Sequence, residues 1–292
     1  MNNFISLKDI EEAALTLLPK SVRDYYKSGA TDEYTLRENR NAFKRFRIRP
    51  KCLVGVHNTN LHTTVLGHTV SMPVGVSPTA MQRMAHPDGE IANAKAVEAA
   101  GTIFTLSTIA TTSIEEIAEA APNAIKWFQL YIYYDRLANF EGLLSNKIHN
   151  SHQGSGLNEY VQNLFDKSLT WDEIKCITNL PIIAKGILRG DDAVKAIEAG
   201  CTAILVSNHG ARQLDGVPSS IEALPEIINA VKDYDVEVYL DGGVTSGTDE
   251  GVKRVLDILR TELEYTLQIA GTPTINDISR DMVRHETTYS KL

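Results

Sequence analysis

The sequence predicts an α/β fold, a TIM-type (β/α)8 barrel that is incomplete. Three observations predict it. From about Val70, short apolar runs alternate with capped helical stretches, the pattern of parallel strands joined by right-handed crossovers. No G-x-G-x-x-G follows the first strand, so an open dinucleotide-binding sheet lacks its main signal. Polar side chains gather at the C-terminal ends of several strands, the rim where such barrels carry their active sites. Six clear strands are present where a closed barrel needs eight.

The elements follow in order. Ser6, with Asp9 three residues on, caps a first helix whose Ile10, Ala13, Ala14, Leu17 and Leu18 share a face. VSMPVGVSP reads as the first barrel strand, and PDGEIANAKAVEAAG as a helix closed by Gly101. TIFTLST is a strand, and Ser113 and Glu116 form a capping box for the helix SIEEIAEAA. IKWFQLYIY is a strand; an irregular polar segment follows over 137–156, then helical text with the box Thr170/Glu173. The alternation resumes with the strand PIIAKGI, the helix DDAVKAIEAG, the strand TAILVSNHG, the helix SIEALPEIINAVKDY and the strand VEVYLDGG. An amphipathic helix from about Asp249 to Ala270 ends the fold. One domain over 1–292 is expected, with a helical extension at 1–69, the barrel at 70–270 and a tail at 271–292.

Composition bounds the function. The chain has 292 residues, 43% hydrophobic and 23% charged, as in a soluble globular protein with a sizeable core. Its net charge of −8 argues against a nucleic-acid partner, while local positive charge could still hold a small anion. Three widely spaced cysteines, Cys52, Cys176 and Cys201, favour neither a disulfide framework nor a zinc site. No apolar run is long enough to span a bilayer, and the first residues lack the layout of a signal peptide. The final Ser290, Lys291 and Leu292 spell a peroxisomal address, so an import receptor is an expected partner and the peroxisome the expected location.

Alternate residues on a strand face opposite ways. Thr105 and Ser107 therefore share a face, as do Gln129 and Tyr131, and Ser207 and His209. Lys185 is placed on the face of Ile183 and Ile187, and Asp241 opposite Leu240. Strand-end Ser, Thr and Gln also serve to satisfy loop backbone, so singly they say little. Lys185 says more, because an unpartnered ammonium inside an apolar strand is costly. His209 followed by Arg212 in a glycine-containing turn suits a base beside an anion clamp. His149 and His152 read as solvated loop, with no metal, and Trp127 and Trp171 as packing.

SNHGARQLDGVPSSIEALPEI, with LPIIAKGILRGDDA, MPVGVSPTAMQRMAHPDGE, WFQLYIY and YLDGG, closely resembles the FMN-dependent 2-hydroxy-acid oxidases of the peroxisomal glycolate-oxidase type. The resemblance covers nearly the whole chain. It implies FMN as cofactor and oxidation of a small (S)-2-hydroxy acid such as glycolate to the 2-oxo acid, with oxygen reduced to hydrogen peroxide. It implies His209 as the base, Arg212 as clamp on the substrate carboxylate, and Tyr25 and Tyr131 as hydroxyl donors to substrate. Pro78, Thr79, Ala80, Ser107 and Gln129 resemble the flavin-ring contacts, and Lys185 the cation near flavin N1. Ser207 and the run Asp241, Gly242, Gly243, Val244, Thr245 resemble further contacts to the flavin and its chain. A homo-oligomer is also implied.

The same resemblance exposes two gaps. After Asp135 and Arg136 the family continues through a helix and a strand; this chain passes to Leu137. The fourth strand, an aspartate that supports the histidine and a second substrate arginine are thereby missing. After Asp249 the eighth strand, with its Gly-Arg contact to the FMN phosphate, is missing too. Thr245 stands where the family has arginine, and Ile109 where glycolate enzymes commonly have tryptophan. The alternative expectation is therefore a catalytically impaired form, from skipped segments or a gene-model error, acting at most as a binding or subunit partner.

Overall fold

The computed structural model describes residues 4–131, 168–174, 178–243 and 250–289. The two junctions at 135–137 and 248–249, His149, His152, Cys176, Val244, Thr245 and the terminal Ser290, Lys291 and Leu292 lie outside them.

Three helices open the chain: α1 (Leu7–Leu17), α2 (Lys20–Lys27) and α3 (Tyr34–Asn41). The expected capping box starts α1: Ser6 accepts from the Asp9 amide and Asp9 from the Ser6 amide. The apolar face of α1 departs from its sequence pattern at one position. Ile10 is buried against Val255 and Ile258, with Leu7 beside it, while Leu17 is 83% exposed. Ala13, Ala14 and Leu18 are half-buried, so Leu17 is the member of the expected face that turns to solvent.

Strands β1 (Phe46–Ile48), β2 (Thr63–Val65) and β3 (His68–Val70) lie before the barrel and have no counterpart in the sequence reading. β2 and β3 form an antiparallel hairpin. Its turn, Leu66 and Gly67, has φ of 44° and 78°, the left-handed pair that matches strand twist in a tight hairpin.

The barrel strands form two parallel arcs. In the first, β4 (Ile103–Leu106) pairs with β5 (Ile125–Phe128), and Val76 bridges to Phe104. The expected first strand, VSMPVGVSP, is reduced to that bridge: Val76 N donates to Ile103 O and accepts at its own carbonyl from Thr105 N. Pro73 has no amide to give, and among the described residues this segment has a ladder neighbour on one side only. The second arc is β6 (Ile183–Ile187), β7 (Ala203–Val206) and β8 (Glu237–Leu240), with β7 central. Among the described residues no backbone ladder joins β5 to β6 or β8 to the Val76 segment, so the barrel is not closed.

Helices cover the outside. α4 (Gly89–Ala100), ended by Gly101 at φ 66°, and α5 (Ile114–Ala120), started by the Ser113/Glu116 box, pack around Phe104. The short α6 (Trp171–Ile174), α7 (Gly190–Glu198) and α8 (Ser220–Ala230) pack over Ile204 and Val206. The Thr170/Glu173 pair starts α6 differently from a box: Thr170 donates its amide and hydroxyl to Glu173. The long helix α9 (Glu250–Ala270) sets Val252, Leu256 and Leu267 into the first core. In the tail, β9 (Val283–His285) pairs antiparallel with β1.

The inner space at the strand N-terminal end is filled. Val65 and Val70 of the hairpin pack with Ile103, Ile125, Trp127 and Tyr239. The Trp127 and Tyr239 rings, one from each arc, lie 5.3 Å apart, and Leu66 N donates to Glu237 Oε1 at 2.9 Å. The hairpin thus joins the arcs at this end.

Candidate active site

Lys185 enters the inner space from β6. Its Nζ donates to Ser207 Oγ at 2.7 Å and lies 2.9 Å from Asp241 Oδ2. Its expected face needs one correction. Gly186, at φ 99°, makes a bulge that shifts the pairing with β7. Ile187 is thereby turned into the helix-side core with Ala193 and Ala196, away from Lys185. The bulge lets an ammonium and an isoleucine two residues apart point to opposite sides.

Ser207 follows β7 and also accepts from the His209 amide at 3.0 Å. His209 Nε2 lies 3.2 Å from Tyr131 Oη, which in turn accepts from Gln129 Nε2 at 3.1 Å. Gln129 and Tyr131 follow β5, so this contact crosses from one arc to the other. Asp241, just past β8, accepts from Ser77 Oγ at 3.2 Å, which crosses back. One run of polar contacts therefore passes Gln129, Tyr131, His209, Ser207, Lys185, Asp241 and Ser77 around the rim.

The other expected residues border this run. Ser107, after β4, is buried and accepts from the Ile109 amide. Pro78, Thr79 and Ala80 follow Ser77, and Tyr26 Oη donates to the carbonyls of Ala80 and Met81. Arg212 sits over the Tyr25 ring at 5.2 Å and donates to Tyr26 O at 2.7 Å. Gly242 and Gly243 have φ of 91° and 88°. A Cβ on Gly243 would lie 2.3 Å from Asn39 O, so a side chain is excluded there.

The electrostatics favour a neutral histidine. Burial, then the Lys185 charge, pushes the His209 pKa down to about 4; Asp241 opposes this and Arg212 adds to it. At neutral pH the ring is free to accept a proton. Burial also raises the Tyr25 hydroxyl, which keeps it a donor. Asp241 Oδ1 is buried and makes no hydrogen bond.

Several residues at this rim escaped the sequence reading. Tyr26 holds the 80–81 loop and the Arg212 side chain. Glu90, fully buried in α4, accepts from the amides of Gln82 and Thr111 and the hydroxyls of Thr111 and Thr112. It thus ties together the loops that follow the first two barrel strands. In the sequence it is one acidic residue in the first turn of α4, with nothing to mark it.

The family description "FMN-dependent dehydrogenase" matches residues 14–147 and 139–249. The chain belongs to this family. Human 2-hydroxyacid oxidase 1 is 41% identical, with 96% of each chain covered. The glycolate oxidase of Spinacia oleracea is 39% identical, with 95% of each covered. A peroxisomal (S)-2-hydroxyacid oxidase of Arabidopsis thaliana is 37% identical over 100% of this chain and 99% of its own. Among solved structures, a mandelate oxidase with (S)-4-hydroxymandelic acid superposes at a TM-score of 0.86, with 29% identity, covering 94% of this chain and 97% of that one. A flavocytochrome b2 variant with pyruvate bound gives 0.85 and 31%, covering 99% and 89%. The barrel family is thereby established. The alignment to the human relative runs over 357 positions against 292 residues here, so at least 65 positions have no residue of this chain.

Proposed function

We propose that this rim is the active site for FMN-dependent oxidation of a small (S)-2-hydroxy acid, such as glycolate, to the 2-oxo acid, with oxygen reduced to hydrogen peroxide. The observation that carries the reading is the 3.2 Å contact of Tyr131 with a buried His209 across the two arcs. It places a hydroxyl donor beside a base at the strand ends.

The polar groups present fit the ring of a flavin. The Lys185 ammonium, the Gln129 amide and the Ser107 and Ser207 hydroxyls line one side of the rim, and the bare Asp241 Oδ1 offers an acceptor to a ligand hydroxyl. Pro78, Thr79 and Ala80 would border the ring, and Gly242 and Gly243 would continue from Asp241 toward the phosphate; Val244 and Thr245, outside the described residues, are assigned to the same ligand by the resemblance alone. Bound FMN supplies the electron sink. The oxidation also releases two protons. His209, neutral at pH 7, takes one of them. Arg212 presents a planar cation to the substrate carboxylate. Tyr25 and Tyr131 donate hydroxyls to the substrate, and Lys185 offsets negative charge that collects near its ammonium.

The terminal Ser290, Lys291 and Leu292 support a peroxisomal location through the import receptor, and the family supports a homo-oligomer of single-domain chains. His209→Ala tests the central role. Turnover should fall about 10²–10⁴-fold while flavin content holds. Unchanged turnover would remove His209 from the chemistry.

A second reading is favoured by the unclosed barrel and the unmatched aligned positions: a chain with impaired flavin binding that serves as a binding or subunit partner. Loss of two arginine contacts to the phosphate corresponds to about two to four decades of FMN affinity. Titration of the apoprotein with FMN beside a full-length relative separates the readings. Equal affinities would discard the second.

A further inference from the structure

His209, Gly210 and Ala211 are consecutive left-handed residues, with φ of 56°, 64° and 63°. Two of them carry side chains that disfavour this conformation. Side-chain hydrogen bonds must hold it.

Asn208 does so from inside the loop. Its Oδ1 accepts from the Ala211 amide at 3.1 Å, and its Nδ2 donates to Pro218 O at 3.3 Å. The same amide group pairs reciprocally with Asn39 of α3. Asn208 Nδ2 donates to Asn39 Oδ1 at 2.6 Å, and Asn39 Nδ2 donates to Asn208 Oδ1 at 2.9 Å. Both residues are buried, at 2% and 6% exposure, where an unmatched amide would be costly. Asn39 also backs the flavin-side turn: its carbonyl occupies the space a side chain on Gly243 would need, and its Nδ2 lies beside Gly242.

We infer that Asn39 and Asn208 form an amide clamp by which the N-terminal extension positions His209 and the 241–243 turn together. Asn39 is a positioning residue; it touches neither the histidine ring nor the substrate. The clamp explains why an N-terminal helix is packed at the C-terminal rim of the strands. The catalytic arm of this inference rests on the reading of His209 as the base. Its structural arm does not.

The test is the titration of the His209 ring by proton NMR in the full chain, the resonance being assigned by its loss in His209→Ala. The groups that face this ring are Lys185, Asp241, Arg212 and Tyr131, and all remain in the variants. Asn39→Ala removes both clamp bonds. It should loosen the loop, admit water, and raise the midpoint from about 4 by about one unit or more toward the ordinary 6.5. Thr35→Val is the control. Thr35 is fully buried on the same helix, and its hydroxyl meets the 215–217 segment. This variant should lower Tm and leave the midpoint where it was. With substrate, Asn39→Ala should lower kcat and spare KM. Should Asn39→Ala not fold, Asn39→Ser is judged by the same criteria. An unmoved midpoint in the Asn39 variant, or an equal shift in Thr35→Val, overturns the clamp. A shifted midpoint with full turnover in His209→Ala keeps the clamp and discards the base.

Discussion

Lys185→Met is the most informative single change at the rim. The ammonium is 2.7 Å from Ser207 Oγ and 2.9 Å from Asp241 Oδ2, and both charged side chains are under one-fifth exposed. Methionine keeps the length and removes the charge. Asp241 is then left with Ser77 alone, its other oxygen already bare. Losing a charge-assisted bond and stranding a mostly buried carboxylate should cost about 3 kcal/mol. Asp241→Asn should cost about 2 kcal/mol for the converse reason. The double variant strands no charge, so it should also cost about 3 kcal/mol, well short of the additive sum. Urea unfolding measures this: with a slope of roughly 3 kcal/mol per molar for a chain of this size, Lys185→Met moves the midpoint by about 1 M. The His209 titration gives a second sign. It should rise in Lys185→Met, because the ammonium depresses it, and fall further in Asp241→Asn, because the carboxylate supports it. Additive losses in the double variant would refute the pairing.

Two further outcomes follow from the site and the terminus. With the proposed role of His209 as base carried by its neutral form, kcat/KM should stay level from pH 8 down to about 5 and fall only as pH drops through about 4; a fall centred near 6.5 would mean an ordinary, solvated histidine. A fluorescent fusion that keeps the chain's own C-terminus should enter peroxisomes, and removal of Leu292 should leave it in the cytosol; import that persists without Leu292 would refute the address.

What the sequence discloses about this site has a physical limit. Lys185, Ser207, His209 and Asp241 stand out because each is a polar residue in or just after a short apolar run; alternation bears on Lys185 inside β6, while His209 lies past β7 in a left-handed turn that alternation does not reach. Alternation fails at Ile187, since a left-handed Gly186 inserts a bulge that no local pattern announces. Asn39, Tyr26 and Glu90 stay hidden for another reason. Each acts on a segment far away in the chain: Asn39 on Asn208, Tyr26 on the 80–81 loop, Glu90 on Thr111 and Thr112. The β1–β9 and β2–β3 ladders are too short for a periodic signal, three residues to a strand. The N-terminal apolar stripe misleads at one position, because Leu17 faces solvent while Ile10 packs against Val255 and Ile258 of α9.

The unclosed barrel changes what the rim residues have to do. In a closed barrel, backbone ladders hold neighbouring strands and leave strand-end side chains to the ligand. Here the seams between β5 and β6, and between β8 and the Val76 segment, carry no ladder among the described residues. Side chains cross them instead. Tyr131 with His209 spans one seam and Ser77 with Asp241 the other, while Trp127, Tyr239 and the Leu66–Glu237 bond join the arcs below. Each rim contact contributes only about 1–3 kcal/mol, far less than the ladder it stands in for. The residues assigned to chemistry are thus also staples between the arcs. A ligand that bonds Lys185, Gln129 and Asp241 together would add to those staples and raise the stability of the whole chain by mass action. Cofactor binding is thereby linked to the cohesion of the two arcs.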